Sequence, residues 1–226
     1  MPARKSGAID VLQDFHLTGS LLHYFTIQFE RRNSMSATHK ISLPRLMGRS
    51  EQSVVSQSLW VLCFVTLTAV GARVEIPYQP VPFTLQTFFV LLAGAMLGAR
   101  NGAISQMMYL AAGAMGAPVF AAGGVGLAKL FGPTGGYLFA FPVAAALVGY
   151  LVQQRRSLPW AFFSMTMGLI VIFTFGTIQL NVVYFHDWSA SFKAGFLLFS
   201  WWDILKLSAA AMIYHEIAKR WTKLPD

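Results

Sequence analysis

Trp160-Ala161-Phe162-Phe163-Ser164-Met165-Thr166-Met167-Gly168-Leu169-Ile170-Val171-Ile172-Phe173-Thr174-Phe175-Gly176-Thr177-Ile178-Gln179-Leu180-Asn181-Val182-Val183 runs for 24 residues without a charged side chain. Roughly 17–25 predominantly apolar residues in a helix cross the ~30 Å hydrocarbon core of a bilayer, so this stretch reads as a membrane span. Outward from it the same pattern recurs. Apolar runs at about 54–74, 83–99, 104–117, 135–152 and 194–217 bring the expected number of spans to six, the third starting near Asn101. The chain as a whole is 226 residues long, 55% hydrophobic and only 12% charged. A soluble domain carries about 25% charged residues, and none of the acidic ones here falls between Glu75 and Asp187. A soluble globular domain is excluded for everything after about residue 53, and a single cysteine, Cys63, excludes a disulfide scaffold.

The net charge of +8 has the magnitude of a nucleic-acid binder, but the basic residues sit between apolar runs rather than on one wet face. They record topology instead, because basic loops stay on the cytoplasmic side. With the N-terminus inside, Lys40, Arg45, Arg49, Arg100, Arg155, Arg156, Lys219, Arg220 and Lys223 fall inside, against Arg73, Lys129 and Lys193 outside. The expected fold is therefore an all-α integral membrane protein with six transmembrane helices and both termini cytoplasmic. Residues 1–53 form an N-terminal extension, 54–220 the membrane domain and 221–226 a cytoplasmic tail. Met35 precedes a short basic stretch that suits a start before the first span, which makes residues 1–34 an upstream extension.

Two stretches expected on the outside break the helical pattern. Residues 75–82, Glu-Ile-Pro-Tyr-Gln-Pro-Val-Pro, hold three prolines in six positions and make a stiff, extended loop. Residues 118–136 are glycine-rich yet apolar and read as non-helical. Such backbone cannot face lipid with its N–H and C=O groups unpaired, so it is buried in protein or lines a cavity.

Ionisable residues deep in a span occur in one place. In Trp201-Trp202-Asp203-Ile204-Leu205-Lys206, Asp203 and Lys206 lie three positions apart on one helix face. Each costs roughly 2.5–3.5 kcal/mol at a bilayer centre on insertion scales, which makes the pair a candidate site. The alternative is mutual neutralisation, or a lysine reaching for an interface. Trp201, Trp202, Tyr109, Tyr137, Tyr150 and Phe120 offer aromatic walls for a ligand, with core packing as the plainer reading of any one of them. Thr84 and Gln86 offer hydrogen bonds, and Gln179 and Asn181 either do the same or join helices. Gly94, Gly98 and Gly102 repeat every four residues and favour packing within the chain. Thr68 and Ala72 repeat in the same way in the first span, where packing and the docking of a second membrane subunit are equal readings. No phosphate-binding loop, zinc-protease motif or serine-nucleophile motif occurs, and no catalytic constellation assembles. An enzyme is therefore not expected, nor a metal site.

Five blocks then fall in order: Ile76-Pro77, Pro82-Phe83-Thr84-Leu85-Gln86-Thr87, Leu97-Gly98-Ala99-Arg100, Gly116-Ala117-Pro118-Val119-Phe120 and Phe131-Gly132-Pro133-Thr134-Gly135-Gly136-Tyr137. With the late Asp-x-x-Lys, they resemble the BioY family, the biotin-specific S components of energy-coupling factor (ECF) transporters, over residues 54–220. The resemblance implies the S-component fold and high-affinity capture of biotin, as transported substrate and not as cofactor, in the bacterial cytoplasmic membrane. It implies that Asp203 and Lys206 bind substrate. It also implies a lid made by Glu75, Pro77, Tyr78, Pro80 and Pro82, and a pocket completed by residues 120–137, with Phe120, Gly123, Gly124 and Tyr137 beside Thr84, Gln86, Tyr109 and Trp202. Where some relatives carry an asparagine after Pro-Val-Phe, this chain has Ala121, Ala122 and Gly123. Implied partners are membrane lipids, a transmembrane coupling subunit docking at Thr68 and Ala72, and two ATPases, with no nucleic acid. Biotin's ureido ring, apolar bicycle and carboxylate need an acceptor, an apolar wall and a cation, all of which these residues supply. Another small vitamin, a lipid-directed enzyme and a purely structural membrane partner are the competing readings.

Overall fold

A computed structural model describes residues 54–220. The expected extension at 1–53, the start at Met35 and the tail at 221–226 lie outside the described residues. Helix α1 (Val54–Arg73) leads into a two-stranded antiparallel ribbon, β1 (Glu75–Ile76) and β2 (Phe83–Thr84), with Glu75 opposite Thr84 and Ile76 opposite Phe83. Helices α2 (Gln86–Ala114), α3 (Gly126–Phe131), α4 (Gly135–Gln154), α5 (Leu158–Leu180), α6 (Trp188–Phe192) and α7 (Leu198–Arg220) follow. Among the described residues, five helical stretches are long and apolar enough to cross a membrane: Val54–Arg73, Gln86–Ala114, Gly135–Gln154, Leu158–Phe185 and Trp188–Arg220.

The second stretch merges what the sequence presents as two runs, and it is not straight. Gly98 has φ 78° and ψ 178°, a conformation outside the helical region that only glycine adopts readily. A Cβ placed on Gly102 would stand 2.9 Å from the Cα of Gly94. Eight residues along a straight helix would separate those positions by about 12 Å. The chain therefore turns back on itself at Gly98, and its two halves press glycine against glycine. The other face of Gly94 meets the backbone of Ala145 in α4, and Gly149 of α4 meets the backbone at Gly98 and Ala99. Glycines at these positions let α4 lie directly on the hairpin, and their packing within the chain is the role observed.

Helix α1 lays Val61, Phe64, Thr68, Gly71 and Ala72 against this core. Thr68 and Ala72 are fully buried, and the Thr68 hydroxyl approaches Gln106 Oε1 at 3.4 Å. This corrects the reading of the pair as a docking face. The small residues fall on the stripe that carries Phe64 and Val61, so they bring α1 close to α2 of its own chain.

The glycine-rich stretch also differs from expectation. It is not wholly irregular, because Leu127, Ala128, Lys129, Leu130 and Phe131 are competent helix formers and close the short helix α3. Gln179 of α5 holds its end, donating from Nε2 to the carbonyls of Leu130 (3.0 Å) and Gly132 (2.7 Å). Asn181 Oδ1 accepts from Ser191 Oγ at 3.2 Å, so both polar residues of the fifth span join segments of the chain.

Candidate ligand-binding site

At the end of the bundle that carries the β-ribbon and α3, a cavity of about 530 Å³, counted to its open mouth, reaches down between α2, α4, α5 and α7. Asp203 and Lys206 form its polar side. The Lys206 ammonium lies 2.7 Å from Asp203 Oδ1 and donates to Thr84 O (2.8 Å) and Thr87 Oγ1 (2.9 Å). The Thr87 hydroxyl donates to the same Asp203 Oδ1 at 2.6 Å. Asp203 is only 2% exposed. Both contacts to Asp203 fall on Oδ1, and among the described residues no hydrogen bond goes to Oδ2. The expected alternative, that the two charges neutralise one another, is thus what the resting geometry shows. It leaves one carboxylate oxygen to accept from a ligand.

The neutralised pair fixes what this corner can recognise. Lys206 spends its donors on Asp203, a carbonyl and a hydroxyl, so a second carboxylate placed here would face the Asp203 charge at low dielectric. A neutral group with N–H donors fits. Thr134 adds a buried hydroxyl that has no partner among the described residues, at the edge of the same cavity. Sequence reasoning used its Gly-Pro-Thr-Gly-Gly block only as a family marker. It also missed Thr87, Phe141, Phe173 and Lys129, all of which line the cavity. Thr87 was present in the Pro-Phe-Thr-Leu-Gln-Thr block, in the first turn of α2 beside Gln86. Lys129 carried no signal, since only the folding of α3 aims it inward.

Thr84, Gln86, Phe120 and Tyr137 line the cavity as expected. Phe120 is fully buried, edge-on to Tyr109 with ring centroids 5.6 Å apart, and Tyr137 donates to Gly195 O at 2.8 Å. Tyr109 is fully buried but stands behind Gln86, bonded to its side chain and not among the lining residues. Gly123 and Gly124 do not line it either. Gly123 takes φ +67°, while Phe120 N donates to Gly124 O (3.3 Å) and Gly124 N to Ala121 O (3.1 Å). The glycines close a tight loop that delivers Phe120 and Ala121. Trp202 is outside the site altogether, 53% exposed. Asp203 faces inward, and one residue on a helix is about 100° of rotation, which turns Trp202 outward. Tyr150 is likewise exposed.

Above this cavity lies a wider vestibule lined by Glu75, Pro77, Tyr78, Gln79, Pro80, Pro82, Ala122, Lys129, Pro133 and Tyr184. All five residues expected to make a lid are here, and Pro82 and Lys129 line both spaces. The ribbon is held down on the loop below it, because Glu75 Oε2 accepts from Ala122 N at 2.9 Å and Arg73 donates to Pro118 O. Among the described residues Lys129 forms no ion pair. No cluster of three His, Cys, Asp or Glu suited to a metal occurs among them.

The BioY family model matches residues 39–223. The chain belongs to the BioY family. The biotin transporter BioY of Thermotoga maritima is 43% identical over 156 residues, 69% of this chain and 92% of that protein. The probable biotin transporter BioY of Pyrococcus horikoshii is 41% identical, covering 70% and 93%. Among solved structures, the S-component for biotin from an ECF-type ABC transporter superposes with a TM-score of 0.68 over 73% of this chain and 92% of its own, at 24% identity. The BioY fold is therefore the fold of this chain, a multi-pass helical membrane protein. BioY proteins are transporter components and not enzymes.

Proposed function

We propose that this chain captures biotin on the outer side of the bacterial cytoplasmic membrane and serves as the substrate-binding subunit of its uptake. The observation that carries this reading is the separation of two polar ends along one apolar cavity. Deep in it, Asp203 Oδ2 and Gln86 are acceptors for the ureido N–H groups. Phe120, Tyr137, Phe141 and Phe173 wall the bicycle. At the mouth, Lys129 meets the valerate carboxylate where water still reaches it. Membership of the BioY family supports the substrate, and competition of labelled biotin by other small vitamins discriminates the runner-up reading.

Equilibrium binding of labelled biotin to the purified full chain in detergent tests the reading, and absence of saturable binding overturns it. The orientation has its own test. Lys129→Met is expected to weaken biotin roughly tenfold, the value of one charged hydrogen bond. Biotin amide, which lacks the carboxylate, should be unaffected by the substitution. Equal losses for both ligands would place the carboxylate elsewhere.

The turn at Gly98 makes six crossings the natural count, with both termini cytoplasmic in accord with the basic loops. In a chain with Cys63 replaced, a cysteine in place of Gln79 is expected to react with an impermeant maleimide in intact cells. One in place of Ser157 should react only after permeabilisation, and the reverse pattern would invert the topology. A transmembrane coupling subunit and two ATPases complete the proposed transporter, with lipid around the remaining faces.

A further inference from the structure

The network behind the cavity determines which way the Gln86 side chain points its oxygen. Tyr109 OH has one proton, and it lies 3.0 Å from Val119 O, which can only accept. The hydroxyl therefore donates to Val119 and can only accept from Gln86, 2.6 Å away. That contact requires the amide nitrogen of Gln86, which turns Oε1 to the opposite side. There it accepts from Thr84 Oγ1 at 3.1 Å, next to the cavity. Both residues are buried, Gln86 at 4% exposure and Tyr109 at zero, so water does not compete for these groups.

We infer that Tyr109 is a positioning residue for substrate selectivity: by spending its proton on Val119 it locks the Gln86 amide with the oxygen toward the cavity, so that this wall accepts a ligand N–H and rejects a ligand acceptor. The inference rests on the biotin reading above and deepens it. One wall of the site is Asp203, an obligate acceptor while ionised. Gln86 is ambivalent by nature, since its amide offers either a donor or an acceptor on rotation. A cyclic urea presents two N–H groups and needs acceptors on both sides. Tyr109 removes the ambivalence. The same hydrogen bond holds Val119, the residue before Phe120, so the selective wall and the aromatic wall share one anchor.

The test compares biotin with two cyclic carbamate analogues in which a ring oxygen replaces one or the other ureido N–H. Shape is nearly unchanged, but a donor becomes an acceptor. Wild type is expected to bind biotin far more tightly than either analogue. In Tyr109→Phe the amide of Gln86 is free to turn its NH2 to the cavity. Biotin is then expected to weaken by about threefold to tenfold, while one of the two carbamates binds tighter by a similar factor. The other carbamate, facing Asp203, should not gain. A merely structural Tyr109 would weaken all three ligands alike, and that outcome overturns the proposal. In the double variant Tyr109→Phe with Gln86→Met no amide remains to turn, so the carbamate gain should vanish; its persistence would also overturn it. Should Tyr109→Phe fail to fold, Gln86→Met is expected to narrow the gap between biotin and that one carbamate, and an unchanged gap counts against the proposal. If wild type binds no biotin, the functional reading fails instead, and the two failures are thereby told apart.

Discussion

Asp203→Asn is expected to weaken biotin binding by about 100-fold or more while leaving the folded protein in the membrane. A hydrogen bond to a charged group contributes roughly 1.5–3 kcal/mol, which is about one to two decades in affinity. The substitution also replaces an obligate acceptor with an amide that can turn its NH2 toward the ligand N–H. Removing one member of a buried ion pair commonly costs about 3–5 kcal/mol because the other charge is stranded. Here the stranding is partial. Lys206 keeps Thr84 O at 2.8 Å and Thr87 Oγ1 at 2.9 Å, and it can lean toward the cavity, where water enters. Lys206→Ala leaves the opposite remainder, a carboxylate that is 2% exposed and holds one hydroxyl. Binding is expected to fall in this variant as well, because the carboxylate loses the cation that holds it in place. Titration of purified variants with biotin, beside a thermal-unfolding scan, separates lost contact from lost fold. Wild-type affinity in both variants would remove the pair from the site.

Gly94→Val is expected to abolish the folded protein rather than its ligand affinity. A Cβ at Gly94 would stand 2.9 Å from Ala145 Cα and 3.0 Å from its carbonyl carbon, and nearer still to the carbonyl oxygen. These are backbone atoms of α4 and cannot rotate away. On its other side Gly94 already touches Gly102. Overpacking a core typically costs about 1–3 kcal/mol when side chains can yield, so about 3 kcal/mol or more is expected where they cannot. The measurable outcome is loss of the monodisperse peak after detergent extraction. Gly116→Ala is the control, because a Cβ there meets nothing and only the φ of +100° is strained. It should cost about 1–2 kcal/mol, the ordinary penalty for a left-handed residue. If Gly94→Val extracts and melts like wild type, α4 does not pack on the hairpin as described.

The membrane class of this chain, its helical runs and the Asp203–Lys206 pair were legible in the residues alone. Each rests on a single physical effect large enough to outweigh its competitors. Long uncharged stretches have one stable setting, and an ion pair inside such a stretch is too costly to be incidental. The five blocks that resemble BioY carried the family in the same way, since they are local in sequence.

What the residues could not decide is which way a side chain faces once helices pack. Thr68 and Ala72 read equally as docking or core, and their burial beside Phe64 settles them as core. Trp202 adjoins Asp203 in sequence, yet the rotation of about 100° from one helical residue to the next sends it outward. Lys129 looked like one loop charge among several until α3 aimed it into both cavities. The orientation of the Gln86 amide is the extreme case, because it depends on a tyrosine in one half of the hairpin and a carbonyl beyond it. Hydropathy and local motifs therefore determine that a protein of this kind spans the membrane and where its charges must be sheltered. The tertiary structure alone decides which polar atoms are already satisfied, and hence which remain for the ligand.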